Sequence, residues 1–151
     1  MPRKAWTTAV ATFFGMGFIP LVPATWASAA AAALAWVLPG PLEAWVLALS
    51  AAGFSVCRES QKVFLSADPK QFVMDEVCGM MLSVLWLPKN FYVYLCAFIL
   101  FRVLDSCKPW PISRIQDSPR TASIMWDDLA AGFFTNLLLQ AALRAPWRHG
   151  A

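Results

Sequence analysis

The chain has a single histidine, no closely spaced cysteine pair and few charges for its 151 residues. His149 stands in a polar C-terminal tail, which argues against histidine-based acid–base catalysis and against a zinc site. Cys57, Cys78, Cys96 and Cys107 form no C-x-x-C pair. Three of them lie in or beside apolar segments, and they read as small buried hydrophobes. Charged residues make up 14% of the chain, against about 25% in an ordinary soluble domain. Period-2 alternation, internal repeats and low-complexity tracts are all absent, which excludes a sheet protein or a solenoid. The basic residues fall in short clusters with no dense face, so nucleic acid is not an expected partner.

What is plentiful is apolar side chain: 59% of residues, with a mean hydropathy of +0.55. A chain this oily is expected to be membrane-embedded, and 151 residues suffice for one domain, 1–151. The N-terminal stretch begins with charges and then turns apolar, like a signal peptide. It is short, carries Gly15 and Gly17, and lacks a convincing cleavage site, so it reads as part of the mature protein. Helices are expected over Thr25–Leu38, with Thr25 as N-cap, and from Leu42 to about Val56. Three more are expected over Phe72–Pro88, from Phe91 to about Leu104, and over Ser123–Arg144. The first two are about 15 residues long, or roughly 22 Å, and a bilayer core is about 30 Å thick. The expected fold is all-α: a membrane-embedded multi-helix bundle of about five main helices, some too short to span fully. The proline-rich stretch behind Lys108 is expected to be irregular.

Five of the nine acids sit where an oily helix has no use for them: Asp75, Glu76, Asp105, Asp127 and Asp128. An ionised group in hydrocarbon costs at least about 2.5–3.5 kcal/mol, so such acids call for shared cations or a metal. In "DEVCG" Gly79 lies one turn beyond Asp75, and in "DLAAG" Gly132 lies one turn beyond Asp128. Each aspartate thus has bare backbone beside it, which favours close approach of the two helices. Neighbouring residues diverge by about 100°, so one acid of each pair is expected to reach the centre and the other its rim. Carboxylates without histidine or thiolate suit Mg²⁺, and Arg102 and Lys108 nearby suit a phosphate group.

These motifs resemble the phosphatidylglycerophosphatase A family. "DEVCG", "FRVLDSCKPWPI" and "IMWDDLAAG" are similar to the family's D-E-x-x-G, F-R-x-x-D-x-x-K-P-x-P-I and I-M-x-D-D-x-x-A-G patterns, in order. "DPK" at 68–70 also matches, and Gly15 to Ser28 resembles the family's G-x-G-x-x-P-x-x-P-G-T-x-G-S segment. The chain departs from that last pattern with Ala24 and Ala27 in place of glycine, and with "RTAS", Arg120–Ser123, in place of a glycine-rich turn.

The resemblance implies an all-helical, Mg²⁺-dependent enzyme of the bacterial inner membrane that dephosphorylates phosphatidylglycerophosphate to phosphatidylglycerol, its site facing the cytoplasm. Carried over by residue, the expected metal ligands are Asp75, Glu76, Asp105 and Asp128, with Asp127 completing the catalytic acids. Arg102, Lys108 and Lys70 are the expected phosphate-binding cations, and Thr25, Ser28 and Pro109 the supports of the substrate loop. Two other readings stay open. One is an anionic-lipid-binding scaffold without turnover; the other is a small cation or proton carrier. The eight tryptophans lie mostly near segment ends, as an interfacial belt would, and Trp110 reads as packing rather than lipid contact.

Overall fold

The computed structural model describes residues 2–116 and 123–144. Asp117, Arg120, Trp147, Arg148 and His149, and most of the expected 120–123 turn, lie outside them. The described residues form seven α-helices: α1 Pro2–Ala11, α2 Pro23–Val37, α3 Leu42–Val63, α4 Met74–Ser83, α5 Phe91–Cys107, α6 Ile112–Gln116 and α7 Ser123–Arg144. A single 3₁₀ turn, Met16–Phe18, lies between α1 and α2. No strand occurs among the described residues.

The helix ends show which local signals decide. Asn90 caps α5, its side chain accepting from the N–H groups of Tyr92 at 2.9 Å and Val93 at 3.4 Å. Lys108, in the left-handed region at φ 41°, closes the same helix ahead of Pro109. Thr25 is not the N-cap of α2: the helix begins earlier, with left-handed Val22 at the cap and Pro23 in the first position. Ala24 and Ala27 are therefore helical, where alanine is favoured and glycine would cost about 1 kcal/mol.

α3 runs seven residues beyond the expected Val56. Gly53, Val56, Cys57 and Ser60 keep a buried stripe at helical spacing while the polar residues between them face outward. α4 is shorter than its apolar run. Asn136 of α7 explains the early stop: its amide donates to the carbonyls of Ser83 at 3.1 Å and Leu85 at 2.6 Å, capping the helix end from another helix. The stretch behind Lys108 holds the short α6 rather than being wholly irregular.

The core gathers around α4, which is buried along nearly its whole length by α2, α3 and α7. Met80, Met81 and Met125 are fully buried filler within it. Cys57 and Cys78 are buried as expected, and burial pushes their thiols up to about 11 and about 12; Cys96 and Cys107 are exposed, against expectation.

No helix among the described residues is long and apolar enough to cross a membrane. Large apolar side chains nevertheless cover the surface. Phe91, Leu95, Ile99 and Val103 line the outer face of α5 at four-residue spacing, and all seven described tryptophans are exposed. Trp110 is among them at 74%, so it does not pack.

Candidate active site

Two glycines bring the acids together. α4 and α7 cross so closely that a Cβ on Gly79 would stand 2.7 Å from the Asp128 carbonyl oxygen and 2.7 Å from the Phe101 ring. A Cβ on Gly132 would strike the backbone of Gly79. Each contact is far inside van der Waals distance, so only hydrogen fits at either position. This contact sets Asp75 and Glu76 of α4 beside Asp128 of α7.

One carboxylate oxygen from each of Asp75, Glu76 and Asp128 lies within 4.8 Å of the other two. Asp75 and Asp128 are almost completely buried. Both acids of α4 thus reach the centre, where only one was expected to. The longer glutamate side chain spans the angular offset. In α7 the expected division holds: Asp128 enters the cluster, and Asp127 turns to an ion pair with Lys108.

Asp105 of α5, expected as a metal ligand, is not in that group of three; it lines the same cavity, and its charge adds to the crowding at Asp128. Arg102, one turn earlier, places Nη1 2.9 Å from Asp105 Oδ2, a charge contact without hydrogen-bond alignment. Arg102 does not line the cavity; it pairs with Asp105, and its charge favours the ionised form of Glu76.

The electrostatics show how crowded the acids are. Burial, reinforced by Glu76 and Asp128, holds the Asp75 carboxyl well above the usual carboxylate range. Burial, reinforced by Glu76 and Asp105, does the same to Asp128. Glu76 is raised as well, chiefly by burial. Asp127 is raised because burial outweighs its Lys108 partner, while its charge and those of Asp128 and Asp105 overcome desolvation to raise Lys108.

The cluster opens onto a cavity of about 500 Å³. Lys108, Lys70 and Asp127 line it beside the three clustered acids and Asp105. So do Asp68, Ser123 and the Pro23–Ala24 start of α2, which the sequence reading did not place there. The "DPK" match was the available signal for Asp68. The Gly15–Ser28 match and the "RTAS" departure were the signals for the start of α2 and for Ser123.

Thr25, Ser28 and Pro109 are not on its wall. Ser28 is buried and donates to the Ala24 carbonyl at 2.8 Å, inside α2. Pro109 accepts from the Ile112 N–H at 2.8 Å, shaping the turn behind Lys108.

The family model for phosphatidylglycerophosphatase A matches residues 9–143. The chain belongs to the phosphatidylglycerophosphatase A family. Membership places it among the phosphatidylglycerophosphate phosphatases, phosphomonoester hydrolases of phospholipid metabolism. It is 35% identical over 129 residues to phosphatidylglycerophosphatase A of Escherichia coli K12, covering 82% of this chain and 75% of the relative. The namesake from Haemophilus influenzae is 28% identical over 139 residues, covering 87% and 85%. A Bacteroides thetaiotaomicron protein with the provisional name phosphatidylinositol-3-phosphatase is 29% identical over 146 residues, covering 88% and 91%. No solved structure matches the chain.

Proposed function

We propose that this chain hydrolyses the terminal phosphomonoester of phosphatidylglycerophosphate to phosphatidylglycerol and phosphate, with Mg²⁺, at the cytoplasmic face of the bacterial inner membrane. One observation carries the reading: three carboxylate oxygens within 4.8 Å of one another open onto a cavity that Lys70 and Lys108 share. The exposed aromatic and aliphatic side chains support a membrane-embedded position.

The donor set fits a hard divalent cation. Asp75, Glu76 and Asp128 are oxygen ligands, and Lys108 and Arg102 are engaged by Asp127 and Asp105 rather than by the cluster. These three acids would hold Mg²⁺, with Asp105 lining the same cavity. When bound, the ion supplies Lewis acidity and offsets the charge of the phosphate.

The remaining work falls to the chain's own groups. Lys108 Nζ, held at the cavity by Asp127, neutralises the phosphate dianion together with Lys70. The first turn of α2 adds its positive dipole end at Ala24. Glu76 Oε2 is buried and has no hydrogen-bond partner among the described residues, which leaves it free to take a proton from attacking water. Water oxygen bonds to phosphorus as the phosphorus–oxygen bond to glycerol breaks, and the proton that Glu76 took from water is passed on to the departing alkoxide, which restores the carboxylate.

Phosphate release from purified protein, with phosphatidylglycerophosphate and with phosphatidylinositol 3-phosphate, tests the reading. Release from the first substrate that stops in EDTA and returns with Mg²⁺ is expected. Lys108→Ala should lose about 100-fold or more in kcat/KM. Exclusive turnover of the inositol lipid would move the specificity. Undiminished release in EDTA would remove the metal, and binding without turnover would leave a scaffold.

A further inference from the structure

The two helices that frame the carboxylate cavity also frame a second hollow of opposite character. α2 gives Pro23 and Ala24 to the cavity, and α5 gives Asp105 and its capping residue Lys108. Further along the same pair lies a groove of about 370 Å³, walled by Ala29, Ala33 and Trp36 of α2 and by Tyr94, Leu95 and Phe98 of α5. Its walls are almost entirely apolar. α2 leaves the cavity and α5 arrives at it, so the groove runs outward from the phosphate end. Ala33 lies nine residues beyond Ala24, about 14 Å along α2, and Phe98 lies seven before Asp105, about 10 Å along α5.

The alanines of α2 divide by face. Ala27, Ala31 and Ala35 are buried in the core, whereas Ala29 and Ala33 are exposed on the groove floor. Trp36 and Tyr94 close its far part in an edge-to-face contact with ring centroids 5.1 Å apart. Lys89 Nζ donates to the Trp36 carbonyl at 2.7 Å, holding the end of α2 against the start of α5. The trough is thus held open by its own scaffold, with methyl groups on its floor.

We infer that this groove takes an acyl chain of the lipid whose phosphate occupies the cavity. The inference rests on the phosphatase reading above and adds where an acyl chain of that substrate is bound. Alignment along the same two helices decides the occupant. The two hollows share both framing helices, one offering cations and carboxylates and the other only hydrocarbon, in the order in which a phospholipid presents its own parts.

The test compares two monomeric substrates by phosphate release: dihexanoyl phosphatidylglycerophosphate below its micelle concentration, and the deacylated glycerophosphoglycerophosphate. The unaltered protein should show a KM at least about tenfold lower for the dihexanoyl lipid, the gain from about two buried methylenes. Ala33→Trp fills the groove from an exposed position. It should raise KM for the dihexanoyl lipid about tenfold, leave kcat unchanged, and leave both constants for the deacylated substrate unchanged. If Ala33→Trp loses both activities, Ala29→Phe, one turn nearer the cavity, decides by the same two measurements. Equal KM for the two substrates, or no change of KM in the filled variant, overturns the groove.

Turnover of neither substrate by the unaltered protein overturns the phosphatase reading instead. A monomeric dihexanoyl phosphatidic acid bearing a diazirine in one chain then settles the groove independently of activity. Label concentrated in residues 29–36 and 91–98 upholds it; label on the exposed Phe133, Leu137 and Leu138 of α7, or spread evenly, overturns it.

Discussion

The acidic turns of α4 and α7 begin alike and end differently. Each sets an aspartate four residues ahead of a glycine, and each adds a second acid next to it. In α4 both acids enter the cluster; in α7 only Asp128 does, and Asp127 pairs with Lys108. The second acid follows the glycine-spaced aspartate in α4 and precedes it in α7, so the two are turned about 100° in opposite senses. Side-chain reach adds to that difference. Glu76 has one methylene more than aspartate and bends back to the centre. Asp127 lacks that reach, and the left-handed end of α5 presents a lysine to it. One helix therefore contributes two acids to the cluster, while the other contributes one acid and one tether for a cation.

Asp128 is the only acid α7 gives to the cluster, so Asp128→Asn should have the largest effect. Mg²⁺-dependent phosphate release should fall further than the roughly 10–100-fold that an outer partner costs, measured as kcat/KM on purified protein. Glu76→Asp removes the extra methylene alone. The Mg²⁺ concentration for half-maximal activity should rise about 10–100-fold, and an unshifted Mg²⁺ titration would break the reach argument. Asp127→Asn should raise KM about tenfold at unchanged Mg²⁺ dependence, because it loosens Lys108 rather than the cluster.

The glycine contact can be probed without chemistry. Gly132→Ala places a methyl against the Gly79 backbone and should lower stability by about 1–3 kcal/mol, read from unfolding in detergent. The smallest effect concerns pH. Asp75 and Asp128 are raised well above their ordinary value of 3.8 by burial and by the neighbouring acids. The folded state therefore binds protons more readily than the unfolded one. In EDTA the protein should grow more stable as pH falls from neutral toward 3.8, and lose that gain as pH rises through the folded values. Saturating Mg²⁺ should flatten the dependence, since a cation stabilises the ionised acids; a flat profile in EDTA would contradict the crowding.

Much of this was legible in the chain. Ser123–Arg144 was bounded correctly because its ends carry local signals, and the aspartate–glycine spacing pointed to the α4–α7 crossing because a missing Cβ acts through contact alone. The early end of α4 was not legible, since its cap, Asn136, comes from a helix more than 50 residues away. The division of labour between Arg102 and Lys108 was hidden for the same reason. Both are cations near the end of α5, but Arg102 pairs with Asp105 while Lys108 follows the helix end into the cavity.

The order of residues along the chain settled the all-helical class, the kinship and the set of acids and cations, because periodicity, caps and motif spacing act within a few turns. The folded arrangement alone settled which oxygens lie within 4.8 Å of one another, which cation faces the cavity, and that α2 and α5 carry a polar hollow at one end and an apolar one further along. Those outcomes depend on where distant segments pack, and no local pattern encodes a distance between side chains on different helices.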